Sequence, residues 1–217
     1  MKARSLVLFD IDGTLLRGAP PHHREALIEG LRKATGREAT FSGIDTSGQL
    51  DRDLIARLLG EVPASLDEIT DHCQQAYLAN CNTDLTPFVC SGVREVLAAL
   101  QTGGAALGLV TGNLSKIGWR KMELAGLAGF FSVGAFSEDG LTRAELAQVA
   151  ARRACVALAD SRISLVGDHR NDIQAAKANG FQAVAVASGT TSFGELRLLE
   201  PDILVESLAD LDVSRLL

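Results

Sequence analysis

The chain has four cysteines, and no two of them stand in a Cys-x-x-Cys pair. Cys73, Cys81, Cys90 and Cys155 therefore lack the spacing of a zinc site or a redox motif and read as ordinary thiols. There is no run of lysine and arginine, and the formal net charge is −6, so the cationic face that a nucleic-acid backbone requires is missing. No apolar stretch is long enough to cross a bilayer, and the strand-like run after Ser5 is too short for a secretory leader; the expected location is the cytoplasm. The histidines form no metal cluster: His22 and His23 are adjacent, His72 sits in a mixed polar stretch, and His169 stands alone. A hard, oxygen-binding cation is a better expectation than a transition metal. Internal repeats and low-complexity tracts are also absent. What the chain has in quantity is apolar residue, 47% of 217, enough for a substantial core in one or two domains.

The most informative stretch is LVLFDIDGTL, residues 6–15, an apolar run that ends on two aspartates one residue apart. It predicts a buried strand that delivers Asp10 and Asp12 to the same side of a tight turn, with Gly13 supplying the backbone freedom to turn. Carboxylates held that close repel unless a cation or a proton lies between them. One aspartate at a strand end is ordinarily a helix cap or a turn residue, so the rest of the chain has to decide.

Two more apolar runs end in the same manner. Residues 105–110 lead into Thr111-Gly112-Asn113, and residues 163–166 lead into Gly167-Asp168-His169-Arg170-Asn171-Asp172. In a parallel sheet the ligand crevice lies at the carboxyl ends of the strands, so the three turns are expected to converge on one site. The punctuation supports such a sheet. After Pro20-Pro21 come helical stretches over about 22–35, 51–59 and 65–80, with no convincing strand among them. From about Pro87 helices and strands alternate: helices near 93–102, 115–125, 143–157 and 171–179, strands near 105–110, 130–136, 162–167 and 182–187. The expectation is a doubly wound α/β core with a parallel sheet covered on both faces, residues 1–16 and 87–217, interrupted after its first strand by an all-helical insertion, residues 17–86.

With these motifs the sequence resembles the haloacid dehalogenase superfamily of aspartate-nucleophile hydrolases. The first family motif, Asp-x-Asp-Gly-Thr, matches Asp10, Asp12, Gly13 and Thr14; the second, a strand ending in Thr, matches Thr111; the fourth, Gly-Asp-x-x-x-Asp, matches Gly167, Asp168 and Asp172. The third motif departs from the pattern, because no lysine occurs in residues 137–151. Arg143 is the cation available there, with Lys116 or Lys121 as alternatives. The helical insertion resembles the cap that some members carry at this point, and the segment Ser47 to Arg52 resembles the cap loop that faces the site, with Leu50 where Thr is more usual.

The resemblance implies a phosphatase. Asp10 is the implied nucleophile, forming an aspartyl-phosphate. Asp12 is the implied general acid and then base. Mg²⁺ is implied on the carboxylates of Asp10 and Asp168 and the backbone carbonyl of Asp12, with Asp172 in support or, alternatively, serving as a first-turn helix aspartate. Thr111 and the neighbouring backbone at Gly112 are implied donors to the phosphoryl oxygens. Asn113 either joins them or caps the next helix. Arg52 is a candidate for a substrate carboxylate, and Arg17, His22 or His23 could face the crevice from the hinge. The expected partner is a small phosphorylated metabolite, with no nucleic acid and no membrane, the chain acting as a monomer or homodimer. A phosphoglycolate phosphatase-like enzyme is the leading reading. A phosphomutase resembling β-phosphoglucomutase and a non-catalytic binding protein on the same fold are the alternatives.

Overall fold

The structure, a computed structural model, describes residues 5–60, 64–154 and 161–217. Cys155 and the end of the helix expected over 143–157 lie outside the described residues, whereas Cys73, Cys81 and Cys90 carry free thiols.

Among the described residues six parallel strands form one sheet: β1 (Ser5–Phe9), β2 (Ala106–Val110), β3 (Val133–Ala135), β4 (Arg162–Gly167), β5 (Gln182–Val186) and β6 (Ile203–Val205), in the order β3-β2-β1-β4-β5-β6. This is the doubly wound order, in which the connections reverse direction beside β1. The register pairs Phe9 with Leu109 on one side and with Val166 on the other, so the turns that follow β1, β2 and β4 emerge together.

Both faces are covered, which explains why the strands are mostly apolar on both sides, with Ser5, Arg162, Ser164 and Gln182 as the polar exceptions, rather than regularly alternating with polar residues. Leu6 and Leu8 point to one face, where they join Val110, Leu165 and the helices α6 (Arg143–Arg153) and α7 (Arg170–Ala178). Val7 and Phe9 point to the other, with Leu107, Leu109, Val166, α4 (Val93–Thr102) and α5 (Ser115–Leu124). The expected strand over 130–136 is shorter, because residues 128–130 make a 3₁₀ turn before Val133. A short helix α8 (Phe193–Arg197) and edge strand β6 complete the core beyond the elements expected from sequence.

Between β1 and α4 the chain makes three helices, α1 (His22–Thr35), α2 (Asp51–Leu59) and α3 (Leu66–Asn80). Their apolar stripes meet in a third cluster built on Leu27, Leu31, Ile55, Ile69, Cys73 and Tyr77. The cluster continues into Leu114 and Ile117 at the start of α5, so the helices rest on the sheet domain through apolar contact as well as through the chain. Helices α1 and α3 cross closely at Gly30, where a Cβ would press into the backbone of Cys73.

That crossing makes Gly30 a stability determinant. Gly30→Ala gains helix propensity but forces the two helices apart, and overpacking of this kind costs about 1–3 kcal/mol. The expected fall in melting temperature is roughly 5 °C by circular dichroism. Gly194→Ala, where a Cβ meets open space in α8, is the control and is expected to leave the melting temperature unchanged or slightly raised. A Gly30→Ala protein as stable as the control would show that α1 and α3 are free to adjust.

Candidate active site

The carboxyl ends of β1, β2 and β4 and the three inserted helices enclose a cavity of about 620 Å³. Asp10, Asp12, Thr111, Gly112, Asn113, Arg143 and Asp168 all line it, as do Arg17, His22 and His23. Asp10 follows β1 directly, its backbone N–H donating to the Val166 carbonyl at 3.0 Å. Gly13 then turns the chain at φ 95°, and a Cβ there would run into the Asp168 carboxylate. The motif glycine is thus required twice, for its dihedral angle and for the space it leaves.

Three buried carboxylates converge beneath the cavity. Asp10, Asp168 and Asp172 each offer an oxygen, and these oxygens lie within 4.8 Å of one another. Burial pushes Asp10 up to about 7; Arg143 opposes this, while Asp172 and Asp12 add to it. Asp168 is raised to about 7 by burial and then by Asp10, against a hydrogen bond from the Thr14 hydroxyl at 3.2 Å. Asp172 is raised to about 6, again by burial, with Arg143 opposing and Asp168 adding. Its Oδ2 accepts the His169 backbone N–H at 3.2 Å, but Oδ1 has no hydrogen-bond partner. The cluster holds more negative charge than the protein compensates, and its donors are all oxygen. Those features fit a hard divalent cation.

Arg143 is the cation that the protein itself supplies to this cluster. It opens α6, where the Thr142 hydroxyl accepts the Glu145 N–H as a cap. Its Nη1 donates to Asp10 Oδ1 at 2.7 Å and to the Val110 carbonyl at 3.1 Å, and its Nε lies 3.4 Å from Asp172 Oδ1. Burial works against the guanidinium charge, but Asp172 and Asp10 outweigh it, so the group stays cationic.

Asp12 has a different environment. Lys121 Nζ donates to both its oxygens, at 2.8 and 2.6 Å, and Asn113 Nδ2 donates to Oδ2 at 2.8 Å. Enclosure would raise its pKa, but Lys121, followed by His23, brings it down to about 2. Asp10 and Asp12 are two residues apart and are driven in opposite directions.

The structure brings several of the expected residues together at the cavity and leaves others outside it. Thr111 is fully buried at the end of β2, where its Oγ1 accepts the Asn113 N–H at 3.3 Å and the Asn113 side-chain amide at 2.9 Å. Asn113 is thereby committed to Asp12 and Thr111, and caps no helix with its side chain. Gly112 is tight against the helices: its carbonyl accepts the Asp51 N–H at 2.8 Å, and a Cβ would strike the Gln49 carbonyl. Arg52 is not brought to the other candidate residues. It does not line the cavity; its guanidinium pairs with Asp67 of α3 at 3.0 Å, and its backbone N–H donates to Ser137 Oγ at 2.9 Å. The first turn of α2 points Asp51 inward, and the next residue, about 100° further round the helix, faces α3 instead. Lys116 is exposed and 3.9 Å from Asp71, far from the role it was weighed for.

Two polar residues that line the cavity have contacts the sequence reading does not give them. Lys121 is expected only as a substitute for the missing third-motif lysine, and Asp51 only as a member of the cap loop from Ser47 to Arg52. A signal existed for Lys121: on α5 the inward residues are Ile117, Gly118, Lys121 and Met122, which puts a lysine on an apolar stripe.

A model of haloacid dehalogenase-like hydrolases matches residues 5–180, and the chain belongs to that family. Among curated proteins, a phosphoglycolate phosphatase of Pectobacterium atrosepticum is 28% identical over 212 residues, which cover 94% of this chain and 88% of that protein. Among solved structures, CbbY from Rhodobacter sphaeroides in complex with phosphate aligns with a TM-score of 0.71 at 20% identity, over 98% of this chain and 97% of that one. A β-phosphoglucomutase from Clostridium difficile aligns with a TM-score of 0.70 at 16% identity, over 97% and 94% of the two chains. At such identities the structural likenesses establish the fold. No helix among the described residues is long and apolar enough to cross a membrane.

The raised carboxylates carry a pH signature. Asp10, Asp168 and Asp172 hold protons more tightly folded than unfolded, so the metal-free protein gains stability from this cluster as pH falls from 8 towards 5.5. A cation must displace those protons at the lower pH. Magnesium chloride at about 100 times its dissociation constant is expected to raise the melting temperature by roughly 5–10 °C at pH 8, and clearly less at pH 5.5. Asp168→Asn is expected to remove the shift and to raise the metal-free melting temperature at pH 8. Equal shifts at both pH values would dissociate the cation from this cluster.

Proposed function

We propose that this hydrolase is a Mg²⁺-dependent phosphatase of a small phosphorylated metabolite, working through an aspartyl-phosphate on Asp10, with residues 17–86 acting as a cap over the core. The observation that carries this reading is the division between the two aspartates of the first motif. Asp10 is gripped by Arg143 among the clustered carboxylates, and Asp12 is gripped by Lys121 and Asn113 beside them. Environments that drive two neighbouring acids apart are how one site assigns a nucleophile and a proton carrier. The relatives of this chain that bear the name phosphoglycolate phosphatase support the substrate class.

The steps balance within the chain's own residues. An oxygen of Asp10 attacks phosphorus, and the leaving oxygen takes a proton from Asp12. Asp12 then removes a proton from water, whose oxygen attacks the same phosphorus; phosphate leaves, and Asp10 is a free carboxylate again. Asp12 is ionised when paired with Lys121 alone, which suits the second step. An incoming phosphoryl group beside it raises its proton affinity, so that Asp12 takes up a proton from solvent or from the phosphate monoanion before the first step, and it regains one from water in the second. Arg143 is placed to hold Asp10 and an equatorial phosphoryl oxygen together, and Thr111 with the adjoining backbone offers further donors where charge spreads in the transition state. Mg²⁺, when held by Asp10, Asp168 and the Asp12 carbonyl with Asp172 in support, supplies charge neutralisation for attack of one anion on another. The helical cap excludes water from the cavity and selects the leaving group.

The decisive experiment is phosphate release from a panel that includes phosphoglycolate and sugar phosphates, with and without Mg²⁺, using Asp10→Asn as the blank. Metal-dependent release that vanishes in the folded variant is the expected result. Dependence on a sugar bisphosphate would mark a mutase, and no turnover of any member would leave a binding protein on this fold. A second expectation separates the cations: Arg143→Ala lowers kcat by about 100-fold or more, while Lys116→Ala stays within about twofold. The reverse ranking would move the third-motif role away from Arg143.

A further inference from the structure

Lys121 belongs to a longer chain of polar groups. An ammonium can only donate, so of its three protons two are directed at Asp12 and the third at His23 Nδ1, 3.1 Å away. With Nδ1 accepting, the neutral ring carries its proton on Nε2, and that nitrogen lies 2.8 Å from Asp51 Oδ2. The same Asp51 oxygen accepts the Leu114 backbone N–H at 2.8 Å. Asp51 and Lys121 are each 3% exposed, yet both charges are partnered through this one path. The path crosses from the inserted helices to the sheet domain: Asp51 opens α2 and His23 lies in the first turn of α1, whereas Lys121 is on α5 and Asp12 follows β1.

We infer that Asp51 and His23 are positioning residues for proton transfer: with the helices seated on the sheet domain, they orient the Lys121 ammonium and thereby fix Asp12 in one pose. This rests on the phosphatase reading. A lysine is a point charge on a flexible stem, and two contacts to a single carboxylate leave it free to pivot. Asp12 is 45% exposed at its side chain and cannot be held by packing. The His23 ring supplies the third direction, and Asp51 fixes both the tautomer and the tilt of that ring, as carboxylates hydrogen-bonded to the far nitrogen of metal-bound histidines do. The helices are held in place beside this path by Asp51 N–H to the Gly112 carbonyl at 2.8 Å and Asn171 Nδ2 to the Gly48 carbonyl at 2.8 Å. The same contacts that seat the helices therefore complete the orientation of the acid.

The test compares two aryl phosphates whose leaving groups differ in basicity. Phenyl phosphate needs a proton on its departing oxygen, and p-nitrophenyl phosphate needs little help. In Asp51→Ala, kcat on phenyl phosphate is expected to fall about 30-fold and kcat on p-nitrophenyl phosphate less than about threefold, with KM for both within about twofold. Asp51→Asn keeps an acceptor oxygen for Leu114 and His23 and is expected to restore most of the loss. His23→Ala removes a part-exposed ring, leaves Asp51 bonded to Leu114, and is expected to show the same split should Asp51→Ala fail to fold. Equal losses on both substrates, or a change in KM alone, would overturn the inference. A second readout needs no turnover: nitrogen NMR of the His23 ring is expected to show the Nε2–H tautomer alone in the native chain and a mixture in Asp51→Ala. A mixture in the native chain would overturn the inference too. Should the native chain hydrolyse neither the aryl phosphates nor any member of the metabolite panel while its ring spectrum is as expected, the phosphatase reading fails and only the orientation of Lys121 by His23 and Asp51 stands.

Discussion

Two carboxylates stand two residues apart at the mouth of a fully buried strand, and each needs a cation of its own. An ionised acid removed from water is unfavourable by several kcal/mol unless a partner and further hydrogen bonds compensate it. For Asp10 the partner is Arg143 from α6, which packs on the face of the sheet where Leu6 and Leu8 point. For Asp12 it is Lys121 from α5, which packs on the opposite face, with Phe9. A parallel sheet with helices on both sides is the architecture that can bring one cation from each face to one strand end. The fold and the chemistry thus meet at the first motif.

The two pairings leave the site unequally satisfied. Asp12 has a lysine and an amide largely to itself, while Arg143 is shared between Asp10 and Asp172, with Asp168 close by and no cation of its own. Local instability is the consequence, and it lies where a cation can relieve it. Protein sites commonly carry such strain, because a site fully satisfied without its ligand would have little to gain from binding. The unpartnered Asp172 Oδ1 and Arg143 Nε sit 3.4 Å apart at the centre of this imbalance.

Placement is legible in the sequence where a residue's position along the chain dictates its place in space. Asp10, Asp12, Thr111 and Asp168 lie at or just beyond the ends of neighbouring parallel strands, and the strand ladder brings such ends together. Arg143 was legible for a related reason, since the start of a crossover helix lies near the strand ends that it follows. Asp51 and Arg52 show the limit. They are adjacent in sequence at the start of α2, and only the rotation of that helix decides that the first enters the site and the second pairs with Asp67. No feature of the two residues fixes that rotation; it depends on how Ile55 packs into the apolar cluster of the inserted helices and Leu54 faces the cavity. Edge strand β6 and helix α8 were missed for a simpler reason, being short, with 3 and 5 residues respectively, and hence too brief to show a period.

The inserted helices are more than a cover for the cavity. Their apolar cluster extends into Leu114 and Ile117, and the next inward positions of that same α5 carry Gly118 and Lys121. One helix therefore presents an apolar patch to the insertion and a cation to Asp12. Movement of the insertion is felt at Lys121 by two routes, through packing on α5 and through His23. The polar contacts between the insertion and the sheet domain contribute only about 1 kcal/mol each. The apolar contact with Leu114 and Ile117 is an attachment that depends on none of them singly. On the proposed phosphatase reading, the His23 contact with Lys121 ties the seating of the insertion to the orientation of Asp12, and so ties the element that lines the leaving-group side of the cavity to the acid that would protonate that group.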